Sequence, residues 1–423
     1  MPNVVVLGLQ WGDEGKARFI DYLASEVDIV ARYQGGSNAG HTVVCDGQKF
    51  IFHLVPSGVL RPGKVNVVGN GVVIDPEELM KEIDELKARG VSVNDRLLVS
   101  DRAQVVLPYH KRLDAAQEKK SGGKIGTTLR GIGPAYSHKY LRIGMRMGDI
   151  IRPARAKALL KEQLPGINAV LKKIYGQKAV SEASLLKFLL SYGKKLKSFV
   201  TDTTYYLNEQ TEAGKSILFE GAQATLLDID FGTYPYVTSS NPSAGGVSTG
   251  TGIPPKLVGR VTGVLKAYTT RVGSGPFPTE LKSAHGQQLR EAGGEYGATT
   301  GRPRRCGWLD AVAARYSVML NGVDEIAFSK LDVLSGQKSV KIAVAYSYRG
   351  KITDRFPADP DVLSKVKPIY EEMPGWSNEI RNVREFKALP ASAKKYVRRV
   401  EKLIGVPIKF ISVGEQREQL IVR

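Results

Sequence analysis

The chain alternates short, uninterrupted apolar runs with glycine-rich turns and amphipathic stretches. Asn3 to Gly8, with its Val-Val-Val-Leu run, reads as a strand buried on both faces and stopped by glycine; Asp28 to Tyr33 and Ser216 to Glu220 have the same form. Gly15 to Val27 has helical spacing. Pro76 to Gly90 is the clearest helix, with proline in its first turn, Leu79, Met80, Ile83 and Leu86 along one side, and Gly90 as its stop. Asp310 to Asn321 and Ser392 to Gly405 predict further helices, and Glu325 to Ser329 and Ile408 to Val413 predict late strands. Buried strands followed by turns and crossover helices predict an α/β fold: a large, mainly parallel central sheet with crossover helices, a P-loop-like first turn and a helical insertion around 153–210. No repeat, low-complexity tract or polar linker marks a boundary. The reading is therefore one domain over 1–423, with room for a helical subdomain at about 153–210.

Composition narrows the class. The chain has 423 residues, 42% apolar and 24% charged, which excludes disorder for most of its length. The two cysteines, Cys45 and Cys306, are too few for a disulfide framework or a structural zinc site, and a reducing cytoplasm fits best. No apolar run approaches the roughly 18 residues of a membrane span, so neither export nor insertion is expected. Against 42 Asp and Glu stand 61 Lys and Arg, a net charge of +19. That excess suits nucleic acid, acidic surfaces or anionic small molecules. Its densest stretches, Arg152 to Lys197 and Arg381 to Lys402, interleave cations with Leu, Val and Ile at helical spacing, which favours solvated helix faces over a nucleic-acid surface. No nucleic-acid or membrane partner is expected.

Two loops after predicted strands carry chemistry. Gly8-Leu9-Gln10-Trp11-Gly12-Asp13-Glu14-Gly15-Lys16 would expose backbone N–H groups at a helix start beside the Lys16 charge, a setting for phosphate. Ala17 stands where a P-loop has the Ser or Thr that holds Mg²⁺, so Asp13 and Glu14 become the candidate ligands. The competing reading is a tight turn capping a helix. Gln34 to Thr42, again after a buried strand, places His41 behind a glycine-rich loop, as a general acid or a neutral donor or else as an ordinary core histidine. Two such loops after neighbouring strands converge on one sheet edge, which favours the functional reading. Thr299-Thr300-Gly301-Arg302-Pro303-Arg304 could receive a dicarboxylate or be a rigid basic turn.

The ordered series Gln10 to Lys16, Gly35 to Thr42, Gly126-Thr127-Thr128, Arg130 to Tyr136, Glu220-Gly221-Ala222-Gln223, Phe231 to Asn241, Thr299 to Trp308 and Lys330 to Leu334 resembles the adenylosuccinate synthetases over nearly the whole chain. The resemblance implies a GTP-dependent ligase joining L-aspartate to IMP through a 6-phosphoryl-IMP intermediate, in the first committed step from IMP to AMP. It implies catalytic roles for Asp13, His41, Lys16 and Gln223, with Mg²⁺ on Asp13 and the Gly40 carbonyl. GTP contacts would fall on Gly12, Asp13, Glu14, Gly15, Lys16, Ala17, Arg18, Gly40, His41, Thr42, Arg304, Lys330, Leu331, Asp332, Ser412, Val413 and Gly414. IMP contacts would fall on Asp13, Lys16, Asn38, Ala39, Gly40, His41, Thr128, Gln223, Thr238 and Arg302, with Arg142 entering from the second subunit of a homodimer. Aspartate would meet Ala298, Thr299, Thr300, Gly301, Arg302 and Arg304. Lys330-Leu331-Asp332 resembles the guanine-reading element of GTPases, since a carboxylate can accept from both N1–H and the 2-amino group of guanine.

The chain departs from the family's pattern at Ala17, Leu129 and Ala224, where glycine is usual, at Arg18 for lysine, at His138 for an acidic residue, and at Glu415 after Gly414. A leucine at 129 costs about 1–2 kcal/mol if that loop is left-handed. The alternative implied by these changes is a divergent paralogue, either a guanine-nucleotide-binding regulator or an enzyme for another purine monophosphate.

Overall fold

A computed structural model describes residues 2–45, 48–123, 126–297 and 301–423. Its largest element is a ten-stranded sheet, built in chain order from β1 (Val4–Gly8), β2 (Ile29–Arg32), β3 (Val65–Val68), β4 (Leu97–Ser100), β5 (Val200–Thr201), β6 (Ile217–Glu220), β7 (Arg260–Lys266), β8 (Glu325–Ser329), β9 (Ile408–Ser412) and β10 (Leu420–Val422). Across the sheet the order is β10-β9-β8-β7-β1-β6-β2-β3-β4-β5. Every pairing is parallel except that of β9 with β10. β1 is buried along its whole length because β6 and β7 pair with it on either side and both faces are covered.

The alternation of side chains explains the apolar run. Val4 and Val6 join Val30, Leu218, Val264 and Ala327 against Phe19, Ile20 and Leu23 of the first helix, Lys16–Ala24. Val5 and Leu7 point to the other face, with Phe219, Leu265 and Phe328, and meet Tyr396, Val397 and Val400 of the helix Ala391–Ile404. Burying each such side chain contributes about 2 kcal/mol of transfer free energy.

The helix Pro76–Ala88 starts as its sequence predicts, with Asp75 accepting from the Glu77 N–H at 3.1 Å and Pro76 in the first turn. Ala311–Asn321 lies within its expected range, and Ala391–Ile404 starts one residue before the expected Ser392 and ends one before Gly405. Residues 153–210 contain the helices Pro153–Ala169 and Glu182–Leu196, then the edge strand β5 and the start of the helix Thr203–Glu212. Leu160, Leu164, Leu185 and Leu189 pack with Leu97, Val99 and Met147, so these helices share a core with the sheet. Their outer faces expose Lys157, Lys161, Lys187, Lys194 and Lys195, as Ala391–Ile404 exposes Lys395, Arg398 and Lys402. No helix among the described residues is long and apolar enough to cross a membrane.

Several elements had no forecast in the sequence, two among them that lie apart from the large sheet. One is a hairpin, His41–Cys45 with Gln48–Phe52. The other is a small sheet built on Ser339–Tyr348 and Lys367–Pro374. Because nine of the ten strands run one way, the loops after β1, β2, β6, β7, β8 and β9 all open on one edge of the sheet.

Candidate active site

The loop after β1 is bent by left-handed residues. Gly12 has φ +88°, Asp13 +61° and Gly15 +82°; at Gly12 and Gly15 only glycine adopts this backbone without strain. The amides of Gln10 and Gly12 turn inward and donate to Glu14 Oε1 at 3.1 and 2.9 Å, while Lys16 Nζ donates to Glu14 Oε2 at 2.7 Å. The loop is thus an anion receptor, and here a carboxylate fills it. Glu14 is fully buried and faces the loop interior, whereas Asp13, its neighbour, is partly exposed. Gln10 fixes the loop to β7: its amide donates to the Tyr268 carbonyl at 3.0 Å and accepts from the Lys266 N–H at 3.0 Å. Ser329, the last residue of β8, donates to the Glu14 carbonyl at 2.6 Å.

Asp13 is joined to the loop of Arg302 and Arg304. Arg304 Nη2 donates to Asp13 Oδ1 at 2.9 Å, and its Nη1 donates to Glu295 Oε2 at 2.7 Å. Glu295 also receives Lys266 Nζ at 2.8 Å, Lys330 Nζ at 3.0 Å and the Tyr268 hydroxyl. Burial alone raises its carboxyl, but Lys266, Lys330 and Arg304 hold it far below the usual range. Arg302 and Gly301 are exposed beside it. Ala298, Thr299 and Thr300 lie outside the described residues.

The second loop forms the opposite wall. Asn38 Oδ1 accepts from Gln223 Nε2 at 3.1 Å, and Gln223 has φ +54°. The Ala39 carbonyl accepts from His53 Nδ1 at 2.8 Å, just before Gly40, His41 and Thr42 enter the hairpin. His41 Nδ1 lies 2.5 Å from Glu220 Oε1. Burial, the largest influence, lowers the imidazole below its usual value, against the raising effect of Glu220. His41 Nε2, Gln223 Oε1 and Thr238 Oγ1 are buried polar atoms without a hydrogen-bond partner. All three belong to residues singled out from the sequence, and a substrate with matching donors and acceptors would satisfy them.

The remaining expected residues fall in two places. Lys330 is left-handed (φ +57°) and opens the turn Leu331–Leu334. There Asp332 is nearly buried, and Arg381 Nε donates to its Oδ2 at 3.4 Å. Arg18 reaches across to the Ser412 hydroxyl and the carbonyls of Gly414 and Gln416, so Ser412, Val413 and Gly414 stand beside the first helix. Thr128 is exposed, far along the chain from these loops, and Arg142 is the exposed left-handed cap of the helix Ile132–Leu141.

Of the three missing glycines, Ala17 lies in the helix Lys16–Ala24 and Ala224 is extended (φ −163°), so neither is strained. Leu129 has φ +58°. Sequence reasoning passed over Glu220, Glu295 and Arg381. Glu220 carried a signal, a charged residue ending a buried strand ahead of Gly221-Ala222-Gln223. Glu295 follows a helix with no such mark.

A glycine-bent, lysine-bearing loop at the carboxyl end of a central parallel strand, with a buried imidazole held by the carboxylate that ends the neighbouring strand, marks an enzyme built on a doubly wound α/β sheet. Residues 5–421 match the family model described as adenylosuccinate synthetase. The chain is 52% identical to the adenylosuccinate synthetase of Acetivibrio thermocellus over 423 residues, all of both chains, and 52% identical to that of Caldanaerobacter subterraneus subsp. tengcongensis over 100% of this chain and 99% of the other. It superposes on the fully ligated adenylosuccinate synthetase of Plasmodium falciparum with a TM-score of 0.95, at 41% identity and full coverage of both. The chain belongs to the adenylosuccinate synthetase family. It is a ligase of purine biosynthesis that joins L-aspartate to IMP, and the regulatory alternative is set aside.

Proposed function

We propose that the ligation proceeds in two steps on this edge of the sheet. Asp13 takes the N1 proton of IMP, the 6-oxygen attacks the γ-phosphorus of GTP, and the amine of aspartate then displaces phosphate from C6. The observation that supports this most directly is the set of three buried, unpartnered polar atoms on His41, Gln223 and Thr238, together with a loop whose backbone already receives an anion. Lys16 would transfer its charge from Glu14 to a phosphate, His41 would donate to the phosphoryl oxygens, and Gln223 would hold the purine edge. Arg302 and Arg304, with Thr299 and Thr300, form the receptor for the carboxylates of aspartate.

Mg²⁺ fits the donors at hand. Among the described residues no group of three or more His, Cys, Asp and Glu side chains converges, so a divalent ion would depend on Asp13, the Gly40 carbonyl and substrate oxygens, the sparse protein ligation Mg²⁺ accepts. Bound there, it would neutralise charge on the phosphates. Asp332 and Lys330, with Ser412 to Gly414, would select guanine. The working unit is a homodimer, in which Arg142 serves the partner's IMP; exposed Tyr140, Leu141 and Ile143 surround it on a surface suited to burial.

Incubation with IMP carrying ¹⁸O at position 6, GTP, Mg²⁺ and aspartate tests the sequence of steps. Adenylosuccinate should accumulate, with the label in inorganic phosphate. Product without labelled phosphate would overturn the 6-phosphoryl step, and no product from folded protein that binds GTP would overturn the whole reading.

A further inference from the structure

Glu220 ends β6 and is completely buried. An ionised carboxylate in such a place needs donors on its oxygens. It has them: the Ser57 N–H donates to Oε2 at 2.8 Å, the Ser57 hydroxyl donates to Oε1 at 3.0 Å, and His41 Nδ1 lies against Oε1 at 2.5 Å. Arg32, also completely buried, donates to the carbonyls of Gln34, Gly36 and His53, and its positive charge acts on Glu220 through space. Burial by itself raises the Glu220 carboxyl, yet His41, Arg32 and the Ser57 N–H hold it below its ordinary value. The group is a carboxylate.

A carboxylate has no hydrogen to give, so the short contact requires the hydrogen to sit on His41 Nδ1. That leaves Nε2, buried and unpartnered, as the atom able to meet a substrate. We infer that Glu220 is a positioning residue, which holds a hydrogen on Nδ1 of His41 and aims its Nε2 at the phosphoryl group in transfer, the nitrogen that donates when both ring nitrogens carry hydrogen. The inference rests on the proposed role of His41.

The test uses full-length enzyme and the variants Glu220→Gln, Glu220→Asp and His41→Ala. Long-range ¹H–¹⁵N correlation of the imidazoles, with His41 assigned by its loss in His41→Ala, should show the Nδ1–H tautomer in the wild type and a shift toward Nε2–H in Glu220→Gln. In the same variant kcat should fall at least tenfold with KM for IMP and GTP within twofold. Glu220→Asp, which keeps the charge, should restore part of kcat.

If Glu220→Gln does not fold, Ser57→Ala removes one donor from the same carboxylate, strengthens its bond to His41, and should move the His41 Nδ1–H resonance downfield. An unchanged tautomer in Glu220→Gln, or an unmoved Nδ1–H resonance in Ser57→Ala, would overturn the inference and leave Glu220 as a structural pin for the Ser57 turn. Wild-type kcat in His41→Ala would instead overturn the role of His41, a result separable from the tautomer measurement.

Discussion

Arg304 holds Asp13 at 2.9 Å with one arm of its guanidinium and the buried Glu295 at 2.7 Å with the other. The loop that carries the arginines is thereby tied to the loop that carries the proposed base. The Arg304 N–H occupies Asp13 Oδ1, so a substrate N–H must displace it there or meet the other carboxylate oxygen. Asp13→Asn keeps the size and a hydrogen-bond acceptor but removes basicity. Its kcat should drop by about 10²–10⁴-fold, the range of a lost general base, with GTP affinity retained. Residual activity within tenfold of wild type, in stopped or continuous assays, would remove Asp13 from that role.

Asp332 is engaged by Arg381, which donates from Nε at 3.4 Å and is itself half exposed. A guanidinium N–H and the guanine N1–H are donors of the same kind, so the two compete for one carboxylate. With its cation half exposed and its contact long, such a pair contributes about 1 kcal/mol or less. Arg381→Ala should therefore lower KM for GTP by about two- to fivefold at unchanged kcat, and Asp332→Ala should raise it and weaken discrimination against ATP. A higher KM in Arg381→Ala would assign that arginine to GTP binding instead.

Leu129 is left-handed (φ +58°) and largely exposed, so its side chain gains little from burial to offset the backbone cost. That cost is about 1–2 kcal/mol, against about 0.5–1 kcal/mol for the extra freedom a glycine has in the unfolded chain. Leu129→Gly should raise stability by about 0.5–1 kcal/mol, read as a higher midpoint in urea. A lower midpoint would mean that the leucine makes a contact worth more than the strain.

His41, His53, His110 and His138 are all held below the ordinary imidazole value, chiefly by burial. His110 Nδ1 accepts from the Leu107 N–H at 2.9 Å, so its Nε2–H must donate to His138 Nδ1, 3.0 Å away. An added proton on His138 Nδ1 would meet that N–H head on. With folded values lowered, the unfolded chain takes protons first as pH falls through about 6.5. Stability is complete above that value and is lost below it. Denaturation midpoints between about pH 8 and pH 5 should fall with acidification, and His110→Gln should flatten the slope. A profile that rises toward acid would contradict the neutral His110–His138 chain.

Tyr140, Leu141 and Ile143 are exposed around Arg142 at the end of one helix. Leu141→Asp should convert the proposed dimer to monomer in sedimentation and raise KM for IMP, since Arg142 of the neighbour would be lost. A wild-type monomer that is fully active would refute the shared site.

The elements that the sequence made legible are those whose pattern is local. Val4 to Gly8 could be read as a doubly buried strand because five successive positions shun water. Pro76 and Gly90 punctuate a helix by their own backbone limits. The loop Gly8 to Lys16 and the Arg302 to Arg304 segment were recognisable because an anion receptor needs glycine turns and cations at close spacing, which sequence records directly. Leu129 could be named as a site of strain, but only its φ showed that the strain is present.

What tertiary structure alone decided is which of these distant pieces touch, and what stands between them. Glu220 lies 179 positions from His41, Arg304 lies 291 from Asp13, and nothing in either segment announces the pairing. Strand order brings β6 and β7 beside β1, and so sets the loops of residues 9–15 and 221–224 on one edge. Burial then leaves an ionised carboxylate no choice but to find donors, and it finds them in whichever residues the sheet has carried there. Spacing along the chain tells which groups can do chemistry; the cost of burying a charge tells which of them must be held together.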